Sequence, residues 1–225
     1  MVAAIGGLLF GFDTAVINGA IVFIKQQFAL SESQTEIAAS SLLLGCVIGA
    51  SVAAFTSDRF GRKRVLLVAA ALFTLSSIGA ALPRDLIEFA AARLVGGVAI
   101  GIASTLSPLY IAEISPAPKR GLLVSLNQLA IVTGILLSYS VNYLLTGAGP
   151  ANWRWMFGSA ALPSIAFFLT LLFIPESPRW LMQKGRPQEA EHFLTQIVGR
   201  QAAAGEIASI RAAISEESGD LLDPT

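Results

Sequence analysis

The sequence predicts an all-α membrane protein: a bundle of six transmembrane helices followed by amphipathic helices on the cytoplasmic side. Three observations predict that class: the apolar composition, six apolar runs of spanning length, and the one-sided placement of Lys and Arg between them. With 54% hydrophobic and 13% charged residues among 225, the chain has more apolar surface than one water-soluble core of its size can bury. The remainder must face lipid. Runs of about 20 residues, enough to cross a bilayer, lie near 2–24, 37–57, 65–83, 86–111, 122–146 and 153–174, separated by short polar breaks.

Each element follows from local pattern. The first run carries Asp13, extends to Ile24 and has no basic stretch before it. It is too long and wrongly flanked for a cleaved signal peptide and reads as a retained span. The loops after the second and fourth spans, with the tail, hold Arg59, Arg62, Lys63, Arg64, Lys119, Arg120, Arg179, Lys184, Arg186, Arg200 and Arg211, whereas the other loops hold only Lys25, Arg84 and Arg154. Positively charged loops remain cytoplasmic, which sets both termini inside. Past Pro175 the pattern turns to charged helix, with Ser177-Pro178 as cap and first-turn pair and Gly185 as a stop. Gln188 to Val198 and Glu206 to Glu217 read as amphipathic helices, and Gly219-Asp220 to Thr225 as a frayed end. The chain thus divides into a bundle over 1–174 and a cytoplasmic helical segment over 175–225, for which a plain linker is the bland alternative.

Composition also excludes whole classes. Net charge is zero, which gives no bulk attraction to nucleic acid or an anionic surface. Cys46 is the single cysteine, so no internal disulfide or thiolate metal site is expected. The sole histidine, His192, falls in the tail, and no nucleophile with its base, metal cluster or phosphate-binding loop is visible. Neither an enzyme nor a cofactor is expected.

Two charges are expensive where they stand. Asp13 lies roughly 16 Å below the outer end of its span and Arg93 roughly 10 Å below the outer end of the fourth, counting about 1.5 Å per residue. These depths overlap within one arginine length, and charges in lipid pair or face water, so an Asp13–Arg93 pair inside the bundle is the economical arrangement. It could be a fixed tie between two helices, or a carboxylate that takes a proton and releases its partner. Phe10, Asp13 and Ile17 share a face of the first helix, and Gln128, Ile131, Ile135, Ser138 and Asn142 share one on the fifth. An amide beside aliphatic and aromatic side chains suits a neutral polyhydroxylated ligand; the alternative is that Gln128 and Asn142 bond helix to helix. Gly45 with Gly49, and Gly97 with Gly101, form small-residue rows expected to serve close packing.

The loop Asp58-Arg59-Phe60-Gly61-Arg62-Lys63-Arg64 matches the D-R-x-G-R-[RK] signature of the major facilitator superfamily. The rest of an ordered set follows: Gly6 through Thr14, Arg93-Leu94-Val95-Gly96-Gly97, Tyr110-Ile111-Ala112-Glu113, Pro116 with Arg120-Gly121, Asn127-Gln128, Trp153-Arg154-Trp155 and Pro175-Glu176-Ser177-Pro178-Arg179-Trp180-Leu181. On these residues the chain resembles the sugar porters, whose fold has twelve spans in two six-helix halves, each a 3+3 inverted repeat, with the sugar held between them. The resemblance implies a cytoplasmic charge cluster of Asp58, Arg59, Gly61, Arg62, Glu113, Arg120, Glu176 and Arg179 that latches one state. It implies a proton-coupling pair at Asp13 and Arg93, since facilitators of glucose carry asparagine at the first position. It further implies sugar contacts from Phe10, Gln128, Ile131 and Ile135, although Ile135 replaces a glutamine that some symporters have. Expected partners are therefore a sugar, protons, the lipid bilayer and a C-terminal six-helix half, with the cell membrane as location. A facilitator, a polyol porter, or a non-transporting fragment or sensor on the same scaffold are the competing readings. The stub ahead of the first helix is short for the family, which is consistent with a fragment, a truncated product or half of a longer protein.

Overall fold

The computed structural model describes residues 4–115 and 119–220, with side chains as far as Ser215. Pro116 and residues 221–225 lie outside that set, whereas Gly219 and Asp220, expected to fray, still belong to the last helix. The helices are α1 (Ala4–Gln27), α2 (Glu32–Phe60), α3 (Arg62–Ala81), α4 (Leu86–Ile114), α5 (Arg120–Leu145), α6 (Asn152–Ser159), α7 (Ala161–Phe173), α8 (Pro178–Gln183), α9 (Pro187–Val198) and α10 (Arg200–Asp220). Helices α1 to α5, and α6 with α7 together, are long and apolar enough to cross a membrane.

Helix ends fall where the side chains can satisfy them. Ser31 and Gln34 form a reciprocal capping box at α2, Asp85 accepts from the Glu88 N–H at α4, and Ser177 accepts from the Trp180 N–H ahead of Pro178. Between α2 and α3 the chain turns in one residue, Gly61, at φ +99°, a conformation open to glycine at little cost. The sixth span, expected as one helix, is broken at Ala160, whose N–H bonds back to the Phe157 carbonyl at 3.1 Å. Pro163, in the first turn of α7, has no N–H to continue the ladder, and a first turn is where proline is tolerated.

Packing repeats itself. Helix α2 lies along α4, α5 lies along α1, and α1 crosses α4 at the centre, with α3, α6 and α7 closing one side. Both long pairings depend on glycine. A Cβ on Gly97 would collide with the Leu42 carbonyl and one on Gly45 with the Leu94 carbonyl; on the other side, Gly11 faces the Ile131 carbonyl and Gly134 the Leu8 carbonyl in the same way. The two glycine rows on α2 and α4 thus serve close packing, as expected from their spacing. The outer faces of α2 and α5 remain apolar and exposed, for example at Leu44, Phe55, Leu129 and Leu136.

Candidate functional site

Asp13 and Arg93 meet in the middle of this frame. The Arg93 Nη1 donates to Asp13 Oδ1 at 2.6 Å and Nη2 reaches the Asp13 backbone carbonyl at 3.4 Å. Both residues are buried, at 3% and 2% exposure. The contact is a single oxygen to a single nitrogen, not the parallel fork that arginine and carboxylate can form. Asp13 Oδ2 and Arg93 Nε therefore have no partner. Charges this deep are costly unless paired, and here each side chain is the other's side-chain hydrogen-bond partner. The guanidinium also lies 5.1 Å from the centre of the Phe157 ring.

The expected ligand-facing residues are divided. Phe10, Ile131 and Ile135 are half-buried and Gln128 is exposed, all still open to an additional element. Ser138 and Asn142 are not: they are buried, and the Asn142 amide donates to the Val16 carbonyl at 3.1 Å, bonding α5 to α1. At about 100° per residue, the five positions fan over roughly 80° of the helix surface. Buried Asn127, Gly134, Ser138 and Asn142 mark the seam with α1, and Gln128 lies beyond it.

At the end of the bundle nearest the tail, Arg62 is saturated. Nε and Nη2 each reach a Glu113 oxygen at 3.1 Å, and Nη1 reaches Asp58 Oδ1 at 2.9 Å and the Ser57 carbonyl at 3.2 Å. Glu176 Oε1 accepts from the N–H of Lys63 at 3.0 Å and of Ser177 at 2.9 Å, so one carboxylate caps the start of α3 and pins the tail to it. A side chain at Gly61 would strike that carboxylate. Trp180 donates to the Asp58 carbonyl and Tyr110 to the Pro175 carbonyl. A cavity of about 450 Å³ opens between this cluster and α8–α10, with Arg120, Arg179 and Glu206 in its wall. Arg59 stands apart, exposed and over the Phe60 ring, because it lies about 100° around α2 from Asp58.

The profile of the family described as "Sugar (and other) transporter" matches residues 1–222. The chain belongs to that sugar transporter family. Among its relatives, the D-xylose-proton symporter of Escherichia coli (strain K12) is 40% identical over 94% of this chain and 50% of its own length. The arabinose-proton symporter of Bacillus subtilis (strain 168) is 42% identical over 97% and 49%. The chain spans about half the length of these curated relatives. Among solved structures, the partially occluded, inward-open xylose transporter XylE from E. coli superposes with a TM-score of 0.92 at 39% identity, covering 98% of this chain and 59% of that one. The proton:xylose symporter XylE bound to 6-bromo-6-deoxy-D-glucose superposes at 0.91 and 39%, covering 96% and 52%. The chain is thus an integral membrane protein with the fold of the N-terminal half of a transporter of this family.

Sequence reasoning missed what this sugar transporter family member builds at the opposite end. Trp153 Nε1 donates to Gln27 Oε1 at 2.7 Å, and Arg154 lies on the Trp153 ring while donating to the carbonyls of Ala81 and Pro83. These bonds tie α1, α3 and α6 together. The Trp-Arg-Trp motif was the only signal, and it names no partner. Among the described residues, no three His, Cys, Asp or Glu side chains converge as a metal site.

Proposed function

We propose that this chain is the half of a proton-coupled sugar transporter that carries the coupling site, and that it works with a C-terminal six-helix half in the cell membrane. The observation that carries the reading is the buried Asp13–Arg93 pair with its unused carboxylate oxygen. A proton arriving at Asp13 Oδ2 cancels the negative charge, weakens the hold on Arg93 and lets the helices rearrange; its departure to the other side restores the pair. The names of the xylose and arabinose relatives support both the sugar and the proton. Phe10, Gln128, Ile131 and Ile135 face the second half, where an amide and apolar surface would meet a sugar's hydroxyls and ring. The tail end is cytoplasmic, in keeping with its excess of Lys and Arg. There Arg62, Glu113, Asp58 and Glu176, with Arg59, Arg120 and Arg179 around them, form the latch of the outward-facing state.

The test is Asp13→Asn in the full-length transporter. Accumulation of sugar against its gradient disappears, while exchange of internal for external sugar continues, because only gradient coupling requires a titrating group. Undiminished accumulation would overturn the reading and leave the pair a static tie between α1 and α4.

A further inference from the structure

Four aromatic rings run in file from the turn after α1 to the coupling pair. Phe28 meets Trp153 edge-on at 5.8 Å, Trp153 meets Phe89 at 6.2 Å, Phe89 meets Phe157 at 5.2 Å, and the Arg93 guanidinium lies 5.1 Å from the Phe157 ring centre. Trp153, Phe89 and Phe157 are at most 1% exposed. Each ring fixes the tilt of the next, so the face of Phe157 is presented to Arg93 by the whole file. Arg93 needs that face: its Nε has no hydrogen-bond partner, and its only carboxylate contact is one Asp13 oxygen.

We propose that Phe157 is a positioning residue for the coupling pair, its ring holding the Arg93 guanidinium in the bundle while Asp13 carries a proton. The inference rests on the proton-coupled reading of Asp13. With the carboxylate neutralised, Arg93 would be a lone buried cation, the most costly species a membrane interior can hold. Two groups that do not titrate then remain against it, the Asp13 backbone carbonyl that Nη2 reaches at 3.4 Å and the π face, and cation–π contacts strengthen when desolvated. Among the described residues, the other charges on α4 and α1 are committed elsewhere: Glu88 is exposed and accepts from the Arg84 N–H, Glu113 accepts from Arg62, and Lys25 pairs with Glu32. Helix α2 contributes only Cys46 among titratable groups at this depth, residues 65–81 of α3 and all of α7 contribute none, and α5 contributes Tyr139 and Tyr143 near its far end. Arg154 of α6 is committed to the Ala81 and Pro83 carbonyls. Because the ring matters more when Asp13 is protonated than when it is ionised, weakening its π density makes the protonated state harder to reach.

The experiment replaces Phe157 with mono-, di- and trifluorophenylalanine in the full-length transporter, which drains π density while nearly preserving shape, and records sugar uptake against external pH in proteoliposomes. The expected result is a stepwise acid shift of the uptake profile, reaching about half a pH unit with three fluorines, with exchange unaltered. Phe157→Leu, which keeps an apolar group and removes the ring, should show the largest shift, and Phe157→Tyr should restore the profile. An unmoved profile across the fluorinated series, in a transporter whose uptake still depends on Asp13, overturns the role of Phe157 alone. Uptake indifferent to Asp13→Asn would overturn the coupling reading beneath it as well.

Discussion

Two arginine–carboxylate pairs lie at different depths of one bundle and are built on opposite plans. Arg62 spends all of its nitrogens: two on Glu113, the third on Asp58 and the Ser57 carbonyl. Arg93 spends one nitrogen well, one weakly on a backbone carbonyl, and leaves the third without a hydrogen bond opposite a carboxylate that also keeps an oxygen spare. Saturation makes a clamp, since every alternative geometry loses bonds. Incompleteness suits the coupling role proposed above, since Asp13 keeps an oxygen free to take a proton and Arg93 an N–H free for a new partner.

Removing one member separates the plans most sharply. Arg93→Leu leaves Asp13 alone in a buried site and should cost about 3–5 kcal/mol of stability, read as a large fall in the thermal midpoint of the detergent-solubilised protein. Adding Asp13→Asn should recover most of that loss. A double variant no more stable than Arg93→Leu would mean that packing, and not charge, is what the pair supplies. At the clamp, Arg62→Ala should cost roughly 2–4 kcal/mol, because Glu113 is 6% exposed at its side chain and loses both bonds. A double-mutant cycle with Glu113→Gln should return a coupling of at least about 1.5 kcal/mol; a cycle near zero would mean that Arg62 and Glu113 are no clamp.

The frame that holds both pairs comes next in size. Gly97→Ala presses a methyl onto the Leu42 carbonyl and should destabilise by about 1–3 kcal/mol, whereas Gly121→Ala, with nothing within 4 Å, should be neutral or slightly stabilising. Equal effects at the two sites would argue against close backbone contact between α2 and α4. The smallest effect belongs to the outermost member of the clamp. Asp58→Ala removes a side chain that is 64% exposed and should change stability by less than about 1 kcal/mol.

Much of this was legible because lipid imposes strong rules. Spans, the glycine rows of α2 and α4 and the matching depths of Asp13 and Arg93 follow from run length, spacing and the cost of a buried charge. What escaped was contact between residues distant in sequence. Periodicity set Gln128, Ser138 and Asn142 on one broad face but could not reveal that α1 covers its centre, burying Asn142 and sparing Gln128. Glu176 read as one more member of a charge cluster, yet it accepts from the N–H of Ser177, the cap of α8, and from that of Lys63 in the first turn of α3, 113 residues earlier. Phe157 sits in an apolar run with nothing to mark it until the Arg93 guanidinium is found against its face. Ala160 gave no sign of a break, since Pro163 alone is compatible with a kinked or a divided helix.

The paired glycine contacts carry a last consequence. Gly11 on the Ile131 carbonyl and Gly97 on the Leu42 carbonyl are equivalent contacts in two halves of one internal symmetry, as are Gly134 on Leu8 and Gly45 on Leu94. Carried along the helices, that register matches Asp13, two residues past Gly11, with Ala99, two residues past Gly97; it matches Arg93, just before Leu94, with Gly7, just before Leu8. Each charged residue thus has a small, uncharged twin across the axis. The scaffold is duplicated while the charged pair is single, so the repeat accounts for the close helix packing and the pair is an addition to one copy of it.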